Sequence, residues 1–169
     1  MVTRYAPDGL VAAANHLAAA AGAAMLDRGG NAADAAIATA AAMAVTGPHM
    51  CGLGGDMFAL VAPPGEVPVA LNASGRAGSG ADAARLRAEG HERVPFQDDV
   101  RAVTIPGLVD GLTALHARFG SLDLAELLAP ARRLARDGFS VSPTLAAASG
   151  ELSPAARLTA FGAPEPLTR

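Results

Sequence analysis

Apolar and small residues run almost unbroken from Ala32 to Thr46, with neither glycine nor proline among them. That length allows one helix of about 22 Å at about 1.5 Å per residue. Asn31 offers a side-chain acceptor to free N–H groups at its start, and Asp34 puts negative charge in the first turn. Gly47-Pro48 stops it. Ala33, Ile37, Ala40, Ala41 and Ala44 fall on one face, nearly all of it alanine. Such a face buries little area per residue, but it admits a neighbouring helix at close range.

The flanks follow the same logic. Leu10 to Ala14 is short and apolar, the pattern of a buried strand, and Asn15 is placed to cap an alanine-rich helix reaching about Arg28. Gly29 suits its left-handed exit. Beyond the central helix, Gly52, Gly54 and Gly55 predict a tight turn with positive φ or crowded backbone. Met57 to Ala62 and Val67 to Ala73 read as strands joined through Pro63-Pro64-Gly65. Ser74 to Gly80 is a loop of small residues holding Arg76, and Ala81 to Ala88 is a short polar helix. Gly90 to Arg101 has mixed charge without a period, the mark of an exposed loop.

Val103 to Pro106 reads as extended. Gly107 to Phe119 reads as a helix, with Leu108, Leu112 and Leu115 at helical spacing and Gly120 closing it. Ser121 or Asp123 caps the next helix, whose stripe is Leu124, Leu127, Leu128, Ala131, Leu134 and Ala135. Pro130 predicts a kink there, or a join between two helices. The stretch 143–169 is rich in Pro, Ser and Ala, shows no core face, and reads as a poorly specified tail.

Composition narrows the picture. The 169 residues suit a single domain. Half are apolar, but with five Phe, one Tyr and no Trp the bulk is alanine, so less stability per residue is expected. All 13 basic residues are arginine, which excludes a Schiff-base lysine. A net charge of −3 with scattered signs offers no basic patch to nucleic acid. The single cysteine, Cys51, excludes an internal disulfide and fits a reducing, cytoplasmic setting better than a secreted or periplasmic one. No apolar run reaches the roughly 20 residues of a membrane span. Arg4 before the alanine-rich run imitates a secretory signal, but Asn15 and His16 interrupt it.

The chemistry-bearing residues are sparse. The glycine turn has no phosphate-binding lysine motif, and it runs from helix to strand, the reverse of a dinucleotide fingerprint. His16, His49, His91 and His116 share no ligand spacing, and one cysteine cannot complete a zinc site. No metal or other cofactor is called for. Asp56, beside the glycines, reads as a holder of loop amides. Asp98-Asp99 and Glu89/Glu92 read as solvated loop charges.

GGNAADAAIA followed by GLGGDMF closely resembles the large-subunit signature of the gamma-glutamyltranspeptidase family, members of the N-terminal nucleophile hydrolase superfamily. GLVAAANHLAAAAGAAMLDRGGNAADAA resembles that family's opening strand, helix and glycine pair, and TIPGLVDGLTALHARFGSLDLAELLAPARRLARDGFSVS its proline-glycine helix and the long helix after it. These blocks cover roughly Gly9 to Ser142, in family order and spacing.

The resemblance implies an α+β fold, part of an αββα sandwich, within a precursor that cleaves itself to free a threonine at the start of a second, small subunit. That residue would supply both hydroxyl nucleophile and, through its α-amine, the base. Thr3, Thr39, Thr46, Thr104, Thr113, Thr144, Thr159 and Thr168 all lack the family's threonine–threonine–histidine context. No catalytic residue is therefore assigned in this chain, which alone is expected to be inactive.

What the resemblance leaves to this portion is an arginine that grips the α-carboxylate of a gamma-glutamyl group, where a planar guanidinium binds in two places. Aligned to the family pattern, LNASGRAG sets Asn72 at an aspartate, Ser74 at that arginine, Gly75 at a glutamate and Gly78 at a proline. Arg76 stands two residues late. In an extended segment that shift keeps the face and moves the origin by about 6.6 Å. Ser74 and Arg76 are thus the candidate substrate-binding residues, against the plainer reading of Arg76 as a solvated loop arginine. The function implied is cleavage of gamma-glutamyl amides such as glutathione through a gamma-glutamyl-threonine intermediate. Two alternatives stand beside it: an acylase of the same superfamily acting on glutaryl-type amides, and a non-catalytic helical interaction module.

Overall fold

The computed structural model describes Thr3, Tyr5 to Pro95 and Asp99 to Gly150. Asp98 and the part of the tail from 151 to 169 lie outside the described residues. The chain is helix-rich α+β, in the order α1 (His16–Asp27), α2 (Ala32–Thr46), β1 (Met57–Val61), β2 (Val69–Ala73), α3 (Ala83–Ala88), α4 (Leu108–Phe119), α5 (Leu124–Asp137) and α6 (Pro143–Gly150). It divides into two units, one of residues 1–52 and 115–169, the other of residues 53–114.

The first unit is built on α2, against which α1 and α5 pack. Its start is as the sequence predicts. Asn31 Oδ1 accepts the N–H groups of Ala33 and Asp34 at 2.8 and 3.1 Å, and Asp34 Oδ2 accepts the Asn31 N–H at 2.9 Å, a reciprocal capping box. The buried face is broader than the stripe read from spacing. Ala35, Ala38 and Ala42 are buried, while Ala40 and Ala44 are only half-buried, because α2 has neighbours on two sides. A patch of Ala18, Ala21, Ala41, Ala42 and Ala131 forms the seam, with Met43, Val45, Leu128 and Leu134 partly buried around it. Among the described residues, Met25, Ile37 and Leu127 are the largest apolar side chains fully enclosed.

Close approach follows from the small side chains. A Cβ on Gly22 of α1 would lie 2.1 Å from Thr39 Oγ1 and 2.8 Å from the Ala35 carbonyl oxygen of α2. Asn15 caps α1 by accepting the Leu17 N–H at 2.8 Å, and Gly29 leaves it with φ +83°. Asp123, rather than Ser121, caps α5 through the Ala125 N–H at 2.7 Å. Pro130 sits inside one continuous α5, so it marks no join. Leu145 gives α6 a buried residue where the sequence showed no core face.

Leu10 to Ala14 is not a strand. Leu10 is 60% exposed, and a strand needs a ladder partner, which these residues do not meet among the described residues. The glycine turn also departs from expectation. Gly52 and Gly54 have no positive φ, and a Cβ on either would meet nothing within 4 Å.

The second unit holds an antiparallel hairpin, β1 to β2, with Met57 opposite Ala73 and Val61 opposite Val69. Gly65 takes φ +76° in its turn. One face carries Met57 inward, and Gly111 of α4 sits so near that a Cβ there would lie 2.7 Å from Ala73 Cβ and 2.9 Å from Met57 Sδ. The other face leaves Phe58 70% and Leu60 75% exposed. Glu89 and Asp99 are tied rather than simply solvated: Arg101 pairs with both, and Arg85 Nε reaches Glu89 at 2.9 Å. These contacts join α3 to the short 3-10 helix Val100–Ala102, and the guanidinium of Arg101 holds Asp99 down at about 2.

Candidate substrate-binding site

β2 ends at Ala73, yet the alternation of exposure carries on beyond it. Asn72, Ser74 and Arg76 are exposed, whereas Ala73 and Gly75 are half-buried. The two candidate residues therefore share a face, as a two-residue step along an extended segment requires.

They differ in what occupies them. The Ser74 hydroxyl donates to Asn72 Oδ1 at 2.7 Å, and the Ser74 N–H donates to the same oxygen at 2.9 Å. Among the described residues no carboxylate lies within ion-pair distance of the Arg76 guanidinium, which leaves its fork of donors turned to solvent. Its backbone is fixed all the same: the Arg76 carbonyl accepts the Ile105 N–H at 3.0 Å.

The segment 104–107 lies hard against this one. A Cβ on Gly75 would fall 1.6 Å from the Ile105 carbonyl oxygen, and one on Gly107 2.0 Å from that of Ala73. Glycine is required at both places because the opposing atoms are backbone. In the sequence Val103 to Pro106 reads merely as extended. Its docking here left no signal except the two glycines.

Asp56 supplies the side-chain contact in this crossing. Its Oδ1 accepts the Gly75 N–H at 3.0 Å and the Thr104 hydroxyl at 3.3 Å, so its reading as a holder of loop amides is correct. The Gly55 carbonyl accepts the N–H groups of Gly107 and Leu108 at 3.1 and 2.9 Å, serving free donors at the start of α4.

Asp34, Cys51 and His116 make structural contacts. Asp34, wholly buried, accepts the Ser121 N–H at 3.0 Å, the Ser121 hydroxyl, and the Asn31 N–H. The Cys51 thiol is exposed and donates to the Gly47 carbonyl at 3.6 Å. His116 Nε2 donates to the Leu122 carbonyl at 2.8 Å, and His49 is exposed. Among the described residues no helix is long and apolar enough to cross a membrane, and no three His, Cys, Asp or Glu group to hold a metal.

Residues 18–162 match the family model described as gamma-glutamyltranspeptidase. The chain belongs to the gamma-glutamyltranspeptidase family. It is 43% identical over 134 residues to the glutathione hydrolase-like YwrD proenzyme of Bacillus subtilis (strain 168), covering 79% of this chain and 25% of that protein. It is 42% identical over 147 residues to the oxamate amidohydrolase proenzyme of Klebsiella pneumoniae, covering 83% and 27%. Among solved structures, Helicobacter pylori gamma-glutamyltranspeptidase superposes with a TM-score of 0.80 at 30% identity, over 89% of this chain and 44% of that one. A cephalosporin acylase from Bacillus halodurans does so with a TM-score of 0.73 at 42% identity, over 85% and 26%. The chain spans about a quarter of the length of these curated relatives. Its fold is part of the N-terminal nucleophile hydrolase architecture that gamma-glutamyltranspeptidases share.

Proposed function

We propose that these residues form the amino-terminal part of a gamma-glutamyltranspeptidase-type precursor that cleaves the amide of a carboxylate-bearing acyl group, with Arg76 holding that carboxylate. A threonine outside this chain attacks the amide carbonyl, the C–N bond breaks, and the amine departs with a proton. Water or a second amine then takes the acyl group from the threonine oxygen. The observation that carries the reading is the exposed, unpaired guanidinium of Arg76, on the face and two residues beyond the position where the family pattern has its arginine. The small subunit that bears the threonine is the partner this reading requires.

A second reading keeps the same threonine chemistry but acts on glutaryl-type amides. It is favoured by the loss of the arginine–glutamate pair at Ser74 and Gly75 and by the 42% identity to a cephalosporin acylase. A glutaryl group also ends in a carboxylate, so Arg76 serves both.

The test uses the full-length precursor. Arg76→Ala is expected to lower kcat/KM on L-gamma-glutamyl-p-nitroanilide roughly tenfold to a hundredfold, the worth of a charge-assisted pair. Arg76→Lys recovers part, since ammonium keeps the charge and loses the fork. On 4-aminobutyryl-p-nitroanilide, which lacks the α-carboxylate, wild type and Arg76→Ala are expected to match. Equal behaviour of the two proteins on both substrates makes Arg76 a solvated loop residue. Glutaryl-p-nitroanilide turned over faster than the gamma-glutamyl amide selects the acylase.

A further inference from the structure

We propose that Asp56 is a positioning residue for carboxylate recognition: it acts on substrate by fixing the segment from which Arg76 projects. This rests on the reading of Arg76 just given. Residues 55 and 56, immediately before and at the threshold of β1, hold two other stretches of chain at once. The Gly55 carbonyl takes two N–H groups at the start of α4, and Asp56 Oδ1 takes Gly75 N–H and the Thr104 hydroxyl.

Arg76 is thereby held from both directions. Its preceding residue is tied to Asp56 at 3.0 Å, and its own carbonyl to Ile105 at 3.0 Å, with Thr104 beside Ile105 returning to the same Asp56 oxygen. The crossing leaves no room for a Cβ at residue 75, so a hydrogen bond to the backbone N–H is the means left to anchor that residue.

The chemistry of the anchor matters. A carboxylate within ion-pair distance of an arginine pairs with it and offsets its charge. Asp56 does not: no ion pair to Arg76 is present among the described residues, and Oδ1 is spent on an amide and a hydroxyl. The guanidinium keeps its full fork for a ligand while its backbone origin stays fixed. Pre-organisation of this kind is worth binding affinity because fewer freedoms are lost when the carboxylate arrives.

The experiment is steady-state kinetics on the full-length precursor with the two anilides named above. Asp56→Ala is expected to raise KM for L-gamma-glutamyl-p-nitroanilide about tenfold with kcat within about twofold, the signature of lost binding rather than lost chemistry. The 4-aminobutyryl anilide is expected to be unaffected. Asp56→Asn keeps an oxygen acceptor for both donors and is expected to stay near wild type. In the Arg76→Ala background, Asp56→Ala is expected to add nothing, since a residue acting through another shows no independent effect. Should Asp56→Ala fail to yield processed enzyme, Thr104→Val removes one of the two bonds and is expected to raise KM on the carboxylate substrate alone. Equal losses on both anilides, additivity with Arg76→Ala, or an unchanged KM overturns the proposal. An inert Arg76→Ala overturns the substrate reading beneath it as well. An active Arg76→Ala phenotype with a silent Asp56→Ala removes the positioning role only.

Discussion

Ser121 and Asp34 stand 87 positions apart in the chain, and the Ser121 N–H donates to Asp34 Oδ1 at 3.0 Å. The same carboxylate takes the Ser121 hydroxyl and closes the capping box of α2. One side chain thus starts a helix and anchors the turn between α4 and α5. In Asp34→Asn an amide NH2 faces groups that donate, leaving part-buried donors without an acceptor, at a cost of up to about 1–3 kcal/mol each. Hydrogen exchange in the full-length protein is expected to show faster opening at the first turn of α2 and at Ser121. Unchanged protection there would remove the anchor from the account.

Acid should reach the same corner. Burial acts to raise the Asp34 pKa, but the hydrogen bonds from the Ser121 hydroxyl and the N–H groups of Asn31, Ser121 and Leu122 outweigh it and hold the group below its ordinary value. A carboxyl depressed on folding contributes stability that is complete above the unfolded value and lost as pH falls through the folded one. Protection at Ser121 is therefore expected to hold down to the ordinary aspartate range and to fall below it. Asp34→Asn should lose that acid step. A wild-type loss beginning near neutrality would assign it to another group.

The α1–α2 contact predicts its own weak point. Gly22→Ala drives a Cβ toward the Ala35 carbonyl and Thr39, and overpacking of this kind costs about 1–3 kcal/mol. Thermal unfolding of the variant should begin at a lower temperature. Gly54→Ala, with nothing within 4 Å of its Cβ, is the matched control and should melt like wild type.

The chain by itself should not hydrolyse L-gamma-glutamyl-p-nitroanilide above background, because none of its threonines stands in the family's cleavage context. It should also bind hydrophobic dyes through the open hairpin face at Phe58 and Leu60. Phe58→Ser with Leu60→Thr should reduce that binding. Turnover that survives repeated purification, or dye binding indifferent to the double substitution, counts against these expectations.

Ser74→Arg tests the shifted arginine. Placed in an Arg76→Ala protein, it should restore part of the lost kcat/KM on the gamma-glutamyl anilide, since residues 74 and 76 share the exposed face. Gly75→Glu, the other half of the family pair, should not. Its Cβ would collide with the Ile105 carbonyl, so processing or folding should suffer instead.

Much of the helical unit was legible because its signals are local. Asn15, Asn31 and Asp123 are caps that act within three residues. In α4, likewise, Leu108, Leu112 and Leu115 are buried as their spacing says. What stayed hidden depends on distant partners. Leu10 to Ala14 has the composition of a strand but, among the described residues, meets no neighbour to pair with. The glycine turn misled because its glycines suggest strain, whereas Gly52 and Gly54 stand in open space and Gly75, Gly107 and Gly111 are among the crowded ones. Nothing local marks Gly75 as pressed on Ile105, thirty positions later. Arg76 is a candidate by likeness to a family pattern alone, and its open fork is seen only in the geometry around it.

The helical unit is assembled from two stretches of sequence with residues 53–114 between them. On a ribosome this imposes an order of events. α1 and α2 leave the exit tunnel early, but α5, which covers α2, follows only after the whole hairpin unit has been made. Until then the alanine seam of the nascent chain has lost its lid, and Asp34 waits without Ser121. The hairpin unit, by contrast, is contiguous in sequence. Synthesis speed between residues 53 and 137 thus sets how long an unfinished helix pair is offered to chaperones, and slow codons in that interval lengthen the exposure.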